Sequence, residues 1–315
     1  MTLIGMTAML EFDHVTKEYG RVFSRCRIRA LDGFSLEVEQ GEIFGFLGPN
    51  GAGKTTAIHL ALGFMRATSG RGRLLGRPFG DAATRARVGF LAENVALYHR
   101  RASSLVRFYG GLNRMHDPSL AQRTRDVLDL VDMREHAGRN VGRFSRGMMQ
   151  RIGLAQAMVN DPELLILDEP TSALDPIGRV AVRELLLRAR EQGKTIFLSS
   201  HMLSEVEQIC DRVAILMHGR VVRLGRMPEL LQQSESWTVT ARGLDPAGYP
   251  DATLDGELLS FVASGRVQRQ IIERIWMAGG EVVSVTPMRR SLEDLFMQLA
   301  AEADEAGSPA ARVNA

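Results

Sequence analysis

The chain is predicted to fold as an α/β protein with a mixed-sheet core, and three features of its 315 residues predict it. Short apolar runs occur at Ile43-Phe-Gly-Phe-Leu47, Leu164-Leu-Ile-Leu167 and Thr195-Ile-Phe-Leu-Ser-Ser200. Such runs read as strands buried on both faces, as in a parallel sheet. Helical segments lie between them, the alternation that βα units produce. The first run turns into a helix, Thr55–Leu62, through Gly48-Pro-Asn-Gly-Ala-Gly-Lys-Thr-Thr56.

That turn has the spacing G-x-x-x-x-G-K-[ST], with Gly48, Gly53, Lys54 and Thr55 in the fixed places. Glycines let the backbone bend until successive N–H groups face inward and form a concave anion site. The helix N-terminus adds unpaired donors and the positive end of its dipole. Lys54 brings a charge to the outer phosphates, and the Thr55 hydroxyl can ligate Mg²⁺. Pro49, Asn50, Gly51, Ala52 and Thr56 complete the expected cradle.

Composition leaves room for one large domain and a small one, with 45% hydrophobic and 24% charged residues. A net charge of +2 is too near neutral for a nucleic acid to be the main partner. The arginines at 21, 25, 27 and 29 read as a solvated hairpin face. Cys26 and Cys210 form no C-x-x-C pair, so neither a disulfide framework nor a metal knuckle is expected. No apolar run approaches the roughly 20 residues that cross a bilayer. The opening residues lack the pattern of a signal peptide, and a soluble, cytoplasmic protein is expected.

Along the chain, Met9–Val15 alternates as a half-buried strand, and Tyr19 follows it. Ala30–Glu39 is a second strand, Ser69–Gly72 a turn, and Arg73–Pro78 a short edge element. Val88–Glu93 is a short strand ending on a carboxylate. Helical spacing then takes over from Ser103 to about Val159, a helical insertion in an α/β core. His99, His116 and His136 lie there without metal-ligand spacing and read as surface residues. Ser145 is an N-cap for the helix through Val159. Asp168 and Glu169 stand at the carboxyl end of the second apolar run, and His201 at the end of the third. Ligands of open α/β sheets sit at those strand ends. Asp168 is expected to hold Mg²⁺, and Glu169 to orient or deprotonate an attacking water.

Beyond Gly225 come a short helix (Pro228–Gln233), a strand at Trp237–Thr240, helical spacing from Val267 to Trp276, a strand at Glu281–Val285 and a helical stripe from Leu292 to Leu299. They make a small α/β accessory domain whose apolar stripes are core or a dimer contact. From about Ala303 the composition reads as a frayed tail.

Taken in order, Gly48–Thr55, Ser145-Arg-Gly-Met-Met-Gln-Arg151, Leu164–Pro170, Ser172-Ala-Leu-Asp175 and Ser199-Ser-His201 resemble the motif set of ABC-type ATPases. The resemblance implies a P-loop ATPase domain over residues 9–225 with its helical insertion at about 95–160, an accessory domain over 226–302 and a flexible tail over 303–315. It implies ATP and Mg²⁺ as cofactors and hydrolysis by Glu169 with His201. Thr55, Asp168 and Glu93 would face the metal, and Tyr19 would stack on adenine. Ser145 and Gly147 would bind the γ-phosphate held by a second ATPase subunit, with Asp175 at the dimer seam.

Two departures are visible: Glu93 replaces the family's glutamine, and Phe144-Ser-Arg-Gly-Met148 replaces L-S-G-G-Q. Both resemble the branch of single-cassette ATPases that drive drug, ion or polysaccharide exporters. The implied partner is a transmembrane permease, with the chain peripheral on the inner face of the membrane. The alternative is a soluble ABC ATPase acting on ribosomes or nucleic acid. One cassette and no heptad run speak against that.

Overall fold

The computed structural model describes residues 8–20, 28–95, 100–231, 236–249, 251–264, 267–287 and 291–307. Arg21, Arg25, Cys26, Arg27, His99 and the expected tail beyond Gly307 lie outside the described residues. The chain divides into two compact units. One holds the described residues up to Met227 and those from Leu299; the other is Pro228–Gln298.

The first unit opens with β1 (Ala8–Tyr19), β2 (Ile28–Glu39) and β3 (Ile43–Leu47), followed by α1 (Lys54–Ala61). Then come β4 (Ser69–Leu74), β5 (Arg77–Pro78), α2 (Ala82–Arg85) and β6 (Val88–Leu91). Three helices follow, α3 (Ala102–Leu112), α4 (Ser119–Leu130) and α5 (Arg146–Met158). The unit continues through β7 (Leu164–Asp168), α6 (Pro176–Glu191), β8 (Thr195–Ser200), α7 (Leu203–Ile209), β9 (Arg212–Met217) and β10 (Arg220–Arg226).

These strands form two sheets. An antiparallel one has the order β2-β1-β4-β5, and a six-stranded one has the order β10-β9-β3-β8-β7-β6. In the second, β9, β3, β8, β7 and β6 pair in parallel and β10 returns antiparallel to β9. β3, β7 and β8 are buried at every residue, the outcome expected of uniform apolar runs covered on both faces.

One apolar core joins the two sheets. Phe12 meets Phe34 edge-on at 4.9 Å, Phe34 meets Phe46 at 5.7 Å, and Phe46 meets Phe197 at 5.2 Å. The rings thus run from the antiparallel sheet to the centre of the parallel one. Tilted and edge-on aromatic pairs add to the free energy of burial itself.

Two sequence expectations change. Ser69–Gly72 is no turn: it belongs to β4, which pairs with β1 from Thr16 to Leu10. Its glycines are there for close approach, not for reversal. A Cβ at Gly70 would sit 2.3 Å from the His14 carbonyl oxygen, and one at Gly72 would lie 2.1 Å from the Phe79 ring. The reversal comes later, where Leu75 (φ 51°) and Gly76 (φ 75°) are both left-handed. The tail expected from Ala303 is helical as far as Gly307, because α10 spans Leu292–Gly307. The Ala, Glu and Asp of that stretch form no barrier to a helix already begun. Its start is a capping exchange: Ser291 donates to Asp294 Oδ2 at 2.7 Å, and the Asp294 N–H returns to Ser291 Oγ at 3.1 Å.

A short α8 (Met227–Leu230) follows β10. The second unit contains β11 (Ser236–Arg242), β12 (Thr253–Asp255), β13 (Leu258–Ser264), α9 (Gln268–Met277) and β14 (Glu281–Pro287). Its antiparallel sheet has the order β12-β13-β11-β14. Ile275 of α9 packs with Val239, Ala241, Leu259, Phe261 and Ala263 in a separate core. No helix among the described residues is long and apolar enough to cross a membrane.

Phe34 is 1% exposed and touches two other rings. Phe34→Ala should lower unfolding stability by about 3–5 kcal/mol. Ile177→Ala, at a residue 78% exposed, should change it by about 0.5 kcal/mol or less. Chemical denaturation of the two variants beside the parent checks both values.

Candidate functional site

Parallel strands present their carboxyl ends at one edge of a sheet. Here Leu47 pairs with Ser200, and Asp168 with Ser199, so β3, β8 and β7 finish nearly level. The glycine loop leaves the end of β3, Asp168-Glu169 ends β7, and His201 follows β8.

The loop is held from two sides. A Cβ at Gly48 would come 2.5 Å from the Leu216 carbonyl oxygen of β9, and one at Gly53 would come 2.4 Å from the Ala30 carbonyl of β2. Gly53 also has φ 112°, a conformation that L side chains rarely adopt. Ala52 accepts from the Gly219 N–H at 2.9 Å, which ties the loop to the β9–β10 turn. Lys54, 8% exposed, donates to the carbonyls of Gly48 at 2.6 Å and Pro49 at 3.2 Å. Burial pulls its pKa down, and the charges of Glu169, Asp168 and Glu93 oppose that shift. Tyr19 stands beside α1: its hydroxyl lies 3.4 Å from Thr56 Oγ1 and donates to Met65 Sδ at 3.2 Å. The ring is partly exposed.

Thr55 Oγ1 donates to Asp168 Oδ2 at 3.3 Å. The other oxygen of Asp168, Oδ1, accepts from Ser199 Oγ at 2.5 Å. Glu169 turns a different way. Its φ is 53°, left-handed for a residue with a Cβ. Oε2 of Glu169 lies 2.7 Å from His201 Nδ1 and accepts from the His201 N–H at 3.4 Å. The Glu169 side chain is nearly buried, whereas that of His201 is 62% exposed, so the pair has a dry member and a wet one.

Glu93 follows β6 and is exposed. It borders a groove with Val95, Phe144, Arg146, Met149 and Gln150. Thr55 and Asp168 are not among that groove's lining residues. Ser145 caps α5 as its sequence position predicts, accepting from the Met148 N–H at 3.3 Å. With Gly147 and Asp175 it lines an open depression that also includes Arg146 and Arg151. Asp175 acts locally as the N-cap of α6, accepting from the Gly178 N–H at 2.9 Å. The loop, Asp168, Glu169 and His201 therefore form one cluster, and Ser145, Gly147 and Asp175 line a face of their own.

Sequence reading overlooked two residues of the cluster. Gln150, 2% exposed, donates from Nε2 to the carbonyls of Glu169 and Pro170, each at 3.1 Å. Ser199, fully buried, accepts from the Glu169 N–H at its carbonyl (3.2 Å) and at its hydroxyl (3.1 Å). The signals were a polar residue on a helix face otherwise apolar, and two hydroxyls closing an apolar strand.

A glycine cradle with a buried lysine, set beside paired carboxylates at the strand ends, defines a P-loop nucleoside-triphosphatase. Residues 31–172 match the ABC transporter family. The chain is 42% identical over 288 residues to an uncharacterised ABC transporter ATP-binding protein of Nostoc, a match that covers 86% of this chain and 83% of that one. It is 33% identical to the bacitracin transport ATP-binding protein BcrA of Bacillus licheniformis, covering 93% and 98%. It is 38% identical to the Nod factor export ATP-binding protein I of Paraburkholderia xenovorans, covering 78% and 80%. A solved ATP-binding subunit of an ABC transporter superimposes with a TM-score of 0.64 at 26% identity, covering 70% of this chain and 91% of that one. The chain belongs to the ATP-binding proteins of ABC transporters and is an ATPase of that family.

Gln150→Leu would leave two buried carbonyls without their donor. It should cost about 1–3 kcal/mol of stability. It should also slow ATP turnover while nucleotide binding persists. Thermal unfolding, steady-state hydrolysis and nucleotide titration of the one variant check the three expectations.

Proposed function

We propose that the chain is the ATP-hydrolysing subunit of an exporter and works as a dimer on a separate transmembrane permease. The observation that carries the hydrolytic part is the Glu169–His201 pair at 2.7 Å, next to the Thr55–Asp168 contact. The transport and export relatives support the direction.

ATP would lie with its phosphates in the Gly48–Thr55 loop. Lys54, already turned onto the loop carbonyls, would shift its hydrogen bonds to the outer phosphates. Tyr19 would offer its ring to the adenine. Thr55 and Asp168 place a hydroxyl and a carboxylate oxygen side by side, a donor pair that suits a hard cation. Among the described residues no group of three or more His, Cys, Asp or Glu could hold a metal. Mg²⁺ needs none, since one or two protein oxygens with substrate phosphates suffice. When bound, Mg²⁺ supplies charge neutralisation at the β- and γ-phosphates.

Glu169 would take the proton of the attacking water. His201, bonded to the same carboxylate, would hold that water and the γ-phosphate from the solvent side. Ser145 and Gly147 would close on the nucleotide in the loop of a second copy, offering it the N-terminus of a 13-residue helix. Asp175 would lie at the seam. Glu93 would act less as a metal ligand than as a sensor in its groove, where a permease segment would dock.

Glu169→Gln should lower turnover by about 10²–10⁴-fold with ATP binding retained. Light scattering of that variant with ATP should show a dimer that the nucleotide-free chain does not form. A variant that hydrolyses at the parental rate would refute the base assignment, and one that stays monomeric with ATP would refute the clasp. Lys54→Ala should weaken nucleotide binding itself, read by titration with a fluorescent ATP analogue.

A further inference from the structure

We infer that Ser199 is a positioning residue that sets Asp168 and Glu169 at once, so that metal site and general base are aligned by one hydroxyl. The inference rests on the roles proposed above for those two carboxylates.

A serine hydroxyl has one proton to give and lone pairs to receive. Ser199 uses both functions inside the cluster. It gives its proton to Asp168 Oδ1 at 2.5 Å and receives the Glu169 N–H at 3.1 Å. The strand register delivers it there, because Ser199 on β8 is the parallel partner of Asp168 on β7.

Both consequences are geometric. With Oδ1 held, Asp168 can present only Oδ2 toward Thr55, as observed at 3.3 Å. The carboxylate cannot rotate without breaking a bond that lies in a fully buried place. Glu169, next along, holds a left-handed φ of 53° that costs free energy and lasts only where neighbours over-determine it. Its N–H is shared between the carbonyl and hydroxyl of Ser199, and its carbonyl is held by Gln150. That turn sends the Glu169 side chain to His201 instead of into the space of Asp168. An alanine would keep the strand and the carbonyl acceptor but would free Asp168 Oδ1 and loosen the turn. A hydrophobic side chain there would satisfy burial equally well, so burial alone gives no reason for a hydroxyl.

The test compares Ser199→Ala, Ser199→Thr and Asp168→Asn in the full chain. Three quantities are read: kcat and KM for ATP, Mn²⁺ affinity by electron paramagnetic resonance with a non-hydrolysable ATP analogue, and ATP affinity in EDTA. Partners that orient metal ligands and catalytic groups are typically worth 10–100-fold. Ser199→Ala should lose about that factor in kcat and in Mn²⁺ affinity, with KM and metal-free ATP affinity little changed, while the thermal midpoint falls because one buried carboxylate oxygen has lost its donor. Ser199→Thr, which keeps the hydroxyl, should recover most of both losses.

Parental kcat and Mn²⁺ affinity in Ser199→Ala would overturn the inference. So would a loss of metal-free ATP affinity in step with the fallen thermal midpoint, the mark of a merely structural serine. Asp168→Asn separates the two levels. If it binds Mn²⁺ as the parent does, the metal role of Asp168 fails. If it binds weakly while Ser199→Ala is parental, only the role of Ser199 fails.

Discussion

The in-register parallel pairing of β3, β8 and β7 is the constraint on which the rest depends. It brings three chain reversals to one edge at nearly one height: the glycine loop, the Asp168-Glu169 step and His201. These segments are far apart in sequence, and no local interaction could align them. A slip of one residue between β7 and β8 would turn every side chain to the opposite face. Ser199 would then point away from Asp168. The slip is resisted because both faces are buried, with Phe44 and Phe46 on β3 packed against Phe197 on β8. A residue turned to the wrong face would meet the wrong neighbours at close packing.

Charged groups fix the far end of the same strand. Asp211 Oδ2 accepts from the Ile43 N–H at 2.8 Å, and Arg212 lies over the Phe44 ring while bonding Glu42 at 3.0 Å. Burial pushes the Glu42 carboxyl above its usual range, against the pull of the Glu39 N–H and Arg212. Such a pair adds little net stability, because desolvation offsets much of the attraction. The exposed ion pairs elsewhere, such as Arg107–Asp117 or Arg242–Glu281, contribute little in water.

Left-handed backbone occurs at turns throughout the described residues, His14, Leu75 and His218 among them, and at two places it falls where chemistry is proposed. Gly53 and Glu169 both hold left-handed backbone, one in the loop and one after β7. Gly53 is compatible with it because it has no Cβ. Glu169 is held there by Ser199 and Gln150 through three hydrogen bonds to its backbone. The difference is informative. A glycine would serve at position 169 if only the turn mattered, so a carboxylate held at some cost points to work for that carboxylate. α5 carries both Gln150 and the Ser145 cap, and thereby ties Glu169 to the face where a second copy is expected.

Much of this was legible in sequence because the signals are local. The apolar runs of β3, β7 and β8, the glycine loop, the Ser145 cap and the acidic pair each lie within a few neighbouring residues. Reading failed at Ser69–Gly72, where glycines placed for contact with His14 and Phe79 imitated a turn. It stopped short at Ala303, and it left β12 and β13 unassigned between Trp237 and Val267. Gln150 and Ser199 were missed because their partners are 19 or more residues away. The sequence by itself determined which chemistry the chain carries: residue types and spacings fix a phosphate cradle and two carboxylates. Only the tertiary structure decided how those groups are aimed. Orientation depends on hydrogen bonds across strands and helices, and those partners become neighbours only when the sheet closes.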